Sequence, residues 1–359
     1  MKPAGLIGQL LLVTAAVGAV AALAPLPGFL TDKDVYEQMS RQWIIQDCDD
    51  LQCFRVLVPM TLGLLPGAGY LKWRAYAVIC EALAAVLMGR WAQMLGAGPR
   101  TVLQVIWLTA FGAGSLYTLF DPFTSDPLMH LAGPLLMILL FQERIMTAAV
   151  VAVIGVFAKE SAAVPLWVAA VTWLQQGRMR QASRALLAGA GVVAVWGTWQ
   201  LVSRSLWNYS TVQHSSKLLD GAFLAFWLDN IGPALAIVSV AAALGALWIL
   251  WPAGLVWSTP DVRRLSLAAA LPFLMFNYVQ QPDRAIWNFA FVAMPAAAVV
   301  LGRVPPLLGW GVVGVQALVG LRIGAQLPFV PPVRVTLVAA MALAVVAVWR
   351  ARLAPARAA

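Results

Sequence analysis

Four clusters of residues in this chain could do chemistry. The first reads TDKDVYEQMSRQWIIQDCDDLQCFRVLVP and carries Asp32, Asp34, Glu37, Asp47, Asp49 and Asp50, with Arg55 close behind. The second, DPFTSDPLMH, holds Asp121 and Asp126, and His130 lies four residues past Asp126, on the same helical face. The third is Lys159-Glu160, and the fourth is Asp283-Arg284, just ahead of an apolar run. A positioned carboxylate accepts the proton of a hydroxyl as that hydroxyl attacks. Cations such as Arg55, Lys159 and Arg284 neutralise a phosphate. Carboxylates and cations in one compartment therefore point to group transfer from a phosphate-bearing donor to a hydroxyl.

What positions these residues is a membrane scaffold. Of 359 residues, 62% are hydrophobic and 11% charged, against roughly a quarter charged in soluble domains. The apolar residues come in blocks of about 15–25, the pattern of a polytopic helical membrane protein. The net charge of +9 reflects Arg on cytoplasmic loops, and no basic cluster with interleaved aromatics points to nucleic acid. Residues 5–25 resemble a signal sequence, but Pro25 follows the would-be cleavage site, so they read as a permanent first helix.

Further helices are expected near 75–95, 101–120, 127–141, 145–158, 161–175, 185–203, 229–251, 265–280, 286–301, 305–322 and 333–349. The chain then reads as one all-α membrane domain, 1–359, of about twelve transmembrane helices with both termini cytoplasmic. Charge supports this threading. Twelve of the fifteen acids fall on the outer side, leaving Glu81 inside a helix and Glu143 and Asp261 on the basic, cytoplasmic side. Segment 54–70 is apolar but holds Pro59 and Pro66, and a crossing there would put Arg178, Arg180 and Arg184 outside. It reads as a re-entrant or interfacial segment. A single helix over 145–175 would misplace the same arginines and bury Lys159-Glu160, so two short helices meeting at that pair fit better. Val35, Met39 and Trp43 fall at i, i+4, i+8, as in an amphipathic helix on the membrane surface.

Helices 127–141 and 145–158 span only about 21 Å, less than the roughly 30 Å hydrocarbon core. Their outer ends should lie in a recessed polar cavity lined by Asp126, His130, Lys159 and Glu160. Asp126 also fits an N-terminal cap for the helix opening at Pro127, and Glu81 fits a buried structural pair. Cys48 and Cys53 would form a disulfide in an oxidising compartment; two free thiols is the alternative. Such a cavity, open to lipid and water, suits a sugar transferase with a lipid-linked donor.

The order of short motifs is similar to that of the GT-C superfamily, the integral-membrane glycosyltransferases that use polyprenyl-phosphate sugars, among them bacterial mannosyl-, arabinosyl- and aminoarabinosyl-transferases. The likeness runs through Asp34-Val35-Tyr36, then Arg55-x-Leu57-x-Pro59, Asp126-Pro127-Leu128, Ala158-Lys159-Glu160 and Asp283-Arg284. It implies an inner-membrane enzyme working on the extracytoplasmic face, inverting in a single displacement. Its base would be Asp34, with Asp32 the neighbouring candidate. Asp126, His130 and Glu160 would orient the acceptor, Asp126 and His130 being candidates to hold a divalent metal ion. Arg284, Lys159 and Arg55 would hold the donor phosphate. The implied partners are a polyprenyl-phosphate sugar, membrane lipid and a glycan, lipid or protein acceptor. The alternatives are a transporter or flippase of lipid-linked sugars and a non-catalytic envelope-assembly scaffold. Many relatives carry adjacent acids where this chain has Lys33 between Asp32 and Asp34.

Overall fold

Proline writes many of the helix starts. Pro99, Pro127, Pro165, Pro233, Pro260 and Pro306 each stand in a first helical turn, where the missing N–H costs nothing and the fixed φ suits a helix. The computed structural model describes residues 3–26, 32–210, 232–270 and 286–354, and over these the secondary structure is helical, with no strand.

The chain runs α1 (Pro3–Leu23), α2 (Lys33–Gln42), a 3-10 turn (Leu51–Phe54), α3 (Leu57–Gly63), α4 (Gly69–Met94), α5 (Pro99–Ala110), α6 (Ala113–Phe120), α7 (Asp126–Phe141) and α8 (Ile145–Val156). A second 3-10 turn (Glu160–Ala163) leads to α9 (Val164–Gln175) and α10 (Met179–Trp207). The remaining helices are α11 (Pro233–Leu244), α12 (Leu247–Trp257), α13 (Pro260–Ala268), α14 (Ala290–Arg303), α15 (Pro306–Val319) and α16 (Val333–Leu353).

Among the described residues six helical stretches are long and apolar enough to cross a membrane: Gly5–Leu23, Gly69–Met94, Pro99–Phe120, Met179–Trp207, Pro306–Gly324 and Val333–Leu353. Counting Ile237–Leu244 and Leu247–Trp257, bent by 53°, as one broken span makes seven. This is fewer than the twelve expected from hydropathy blocks. Part of the difference lies in length: α7 has 16 residues, α8 and α9 have 12 each and α14 has 14, or about 18–24 Å at 1.5 Å per residue; the expected helix 265–280 runs beyond the described residues.

Segment 54–70 holds the end of the 3-10 turn, the seven-residue α3 and the first two residues of α4, and α3 is too short to cross. Residues 145–175 divide into α8 and α9 around an extended Lys159. The amphipathic helix ends earlier than expected, at Gln42, and buries Tyr36 and Met39, while Trp43 is exposed with φ of +64°. The expected helix 101–120 is one apolar stretch, Pro99–Phe120, interrupted between α5 and α6, where Trp287 lies so close to Gly112 and Gly114 that a Cβ on either would fall 2.0–2.2 Å from its side chain. Its Nε1 donates to Ser115 Oγ at 2.9 Å.

Charges gather at two ends of the bundle. At one end Arg100 donates to the carbonyls of Leu301, Gly302 and Val304, Arg303 to that of Ala351, Arg178 pairs with Glu143 and Arg264 with Asp261. The other end carries the four chain segments described next.

Candidate functional site

Asp32 stands at the N-terminal end of α2 and is buried; its Oδ1 accepts from Gln52 Nε2 at 2.8 Å. Gln52 belongs to the 3-10 turn that the Cys48–Cys53 disulfide closes. Arg55 follows that turn directly and reaches across to the break between α8 and α9, where Nε and Nη2 both donate to the Glu160 carboxylate at 2.9–3.2 Å. Lys159, the next residue back, pairs with Asp126. The main chain adds a further tie: Leu57 N donates to Phe157 O at 2.9 Å.

Tyr36 sits at the centre of this arrangement. It is buried against Arg55, Asp32 and Ser125, and its ring stacks on Trp73 with centroids 5.4 Å apart. Burial pushes its phenol far above the usual range, outweighing the opposing charge of Arg55. The hydroxyl therefore stays neutral beside the Asp32 carboxylate and the Arg55 guanidinium. Trp73 continues the packing to Phe123 and Tyr76, and the Tyr76 hydroxyl accepts from Leu128 N at 3.1 Å, fixing the first turn of α7. Asp126 is completely buried at that turn, and its own N–H donates to Thr124 Oγ1 at 3.2 Å.

The structure thus brings Asp32, Arg55, Asp126, Lys159 and Glu160 together at one end of the bundle. Asp34 stands apart, exposed on the first turn of α2. His130 lies one turn deeper than Asp126, where Nδ1 meets Glu81 Oε1 at 2.7 Å; Thr118 Oγ1 donates to the same oxygen at 3.0 Å. His130 therefore pairs with Glu81, which has the buried structural partner expected of it. Arg284 lies outside the described residues.

Lys159 holds one oxygen of Asp126 and Glu81 meets Nδ1 of His130, and among the described residues no three His, Cys, Asp or Glu side chains group as ligands.

Sequence reasoning left Gln52, Ser125, Trp73 and Tyr76 out of the site. Tyr36 had a usable signal, four residues past Asp32 and so on its helical face. Comparison with protein-family models, curated proteins and solved structures gives no match for this chain.

Proposed function

We propose that the chain is an integral-membrane glycosyltransferase of the GT-C kind. It moves a sugar from a polyprenyl-phosphate donor to an acceptor hydroxyl on the extracytoplasmic side, with inversion. The observation that supports this best is a buried carboxylate, Asp32, at the same end of the bundle as two cations, Arg55 and Lys159, each held by a carboxylate, with Tyr36 beside both Asp32 and Arg55. Asp32 is the better candidate base than Asp34 because Gln52 fixes one of its oxygens and leaves the other to take a proton.

In the reaction the acceptor oxygen forms a bond to the anomeric carbon and its proton passes to Asp32. The bond from that carbon to the phosphate oxygen breaks, and polyprenyl phosphate leaves as an anion. Arg55 and Lys159, with Arg284 from the Asp283-Arg284 motif, offset the charge that develops on it. Asp126 and Glu160 hold the two cations in place. The basic end of the bundle, with Arg100, Arg178 and Arg303, faces the cytoplasm in this reading. The short helices α7, α8, α9 and α14, with the helix expected at 265–280, then complete about twelve passes by running between thinned parts of the layer.

The test is release of polyprenyl phosphate. Detergent-purified protein is incubated with a panel of polyprenyl-phosphate sugars and candidate acceptors, and the lipid products are resolved by mass spectrometry. Sugar-dependent release supports the proposal. Absence of release across the panel, or passage of intact donor across vesicles without release, overturns it.

A further inference from the structure

A groove of about 920 Å³ opens between α8 and α10 at the basic end of the bundle. It lies at the upper end of the roughly 300–1,000 Å³ range of small-molecule sites. Three ionisable side chains line it: Glu143, Arg144 and Arg184. Glu143 is paired with Arg178, so the guanidinium groups of Arg144 and Arg184 set the charge of the mouth. Below them the walls are apolar, with Val153 on α8 and Leu187 and Val195 on α10. The floor in front of Gly191 is open space, since a Cβ there would meet no atom within 4 Å.

Geometry and charge together select the occupant. From Arg184 to Val195 the groove wall runs eleven residues of helix, about 17 Å, which is the depth of one leaflet of a roughly 30 Å core. Helix α10 is long and apolar enough to cross a membrane, and only 17% of its apolar window is buried within the protein. A ligand here must be apolar along one leaflet and anionic at its head. Guanidinium groups bind phosphate oxygens through paired N–H donors, and basic pockets between membrane helices bind anionic headgroups. We propose that this groove binds one anionic phospholipid, with its phosphate on Arg144 and Arg184 and one acyl chain along α10. The proposal requires only that the chain lies in a membrane, not that it is a glycosyltransferase.

The test compares phosphatidylglycerol with phosphatidylcholine of the same acyl chains, added to the delipidated full-length protein in detergent. Retained lipid is read by native mass spectrometry and protection by the melting temperature. Phosphatidylglycerol should be retained at one molecule per protein and raise the melting temperature; phosphatidylcholine should do neither. The R144Q/R184Q double variant should weaken phosphatidylglycerol binding by about tenfold or more, the loss of charge-assisted hydrogen bonds. Gly191→Leu should weaken it with both cations intact, because the side chain fills the path of the acyl chain. Glycerol phosphate, a headgroup without chains, should give no protection. Equal retention of the two lipids, or unchanged binding in either variant, overturns the proposal, as does full protection by glycerol phosphate. If the double variant does not fold, salt decides on the native protein: retention that salt does not reduce overturns it.

Discussion

The two ends of the helix bundle carry ion pairs of the same chemistry in opposite surroundings. At the carboxylate site Lys159 and Asp126 are 14% and 0% exposed, and Arg55 and Glu160 are 9% and 17% exposed. At the basic end Arg178 and Glu143 are 38% and 59% exposed, and Arg264 and Asp261 are similar. Exposed pairs contribute about 0–1 kcal/mol. A buried pair gives little net stability over an apolar substitute, yet removal of one partner strands a charge. The buried pairs therefore serve as registration, locking the 3-10 turn after α2, the start of α7 and the α8–α9 break into one arrangement.

The largest effect should come from separating the two acids of α2. In an assay of polyprenyl phosphate release, Asp32→Asn should slow turnover by about 10²–10⁴-fold, the usual share of a general base. Asp34→Asn, exposed and two residues away, should leave turnover within about twofold of the parent, since surface changes away from a site shift energies by only about 0.5 kcal/mol. The reverse ranking would return the base to Asp34.

Next in size is Lys159→Met, which leaves the Asp126 carboxylate buried without its cation. Thermal or denaturant unfolding in detergent should register a loss of about 3–5 kcal/mol. Adding Asp126→Leu should restore much of it. If the single variant proves as stable as the parent, the pair is not locking the site.

Replacing Cys48 and Cys53 by Ser should cost about 2 kcal/mol, the loop entropy of a bridge closing so short a segment. Hydrogen exchange should show the loss in 43–56 and not at the basic end. The smallest effect is expected from Glu143→Gln at the basic end, below about 0.5 kcal/mol and vanishing in high salt.

Part of this contrast is legible in the sequence. Short, local loop composition groups Glu143 and Asp261 with the arginines, and these do pair, Arg178 with Glu143 and Arg264 with Asp261. The break at Lys159-Glu160 was legible because a charged dipeptide cannot sit within an apolar helix cheaply. Two things were not. The pairing of Arg55 with Glu160 spans 105 residues and of His130 with Glu81 spans 49, and periodicity within one helix says nothing about contacts between helices. The break in 101–120 depends on Trp287, more than 160 positions away, entering at Gly112 and Gly114. Likewise Asp32 and Asp34 differ little in sequence; only packing of Tyr36 onto Trp73 turns one inward and leaves the other outside.

The bond between Arg55 and Glu160 also bears on how the chain is made. Ribosomes deliver Arg55 to the membrane 105 residues before Glu160, at roughly 5–20 residues per second. For several seconds the guanidinium has no Glu160 carboxylate to enter with, and burying it alone would be prohibitive. The segment from Asp32 to Phe54 must wait in water or among headgroups until α7, α8 and the Lys159-Glu160 break have followed it in. The late arrival of two short helices, rather than the insertion of the first one, is thus the event that closes this end of the molecule. A nascent chain stopped before residue 160 would display its acidic loop to the aqueous side.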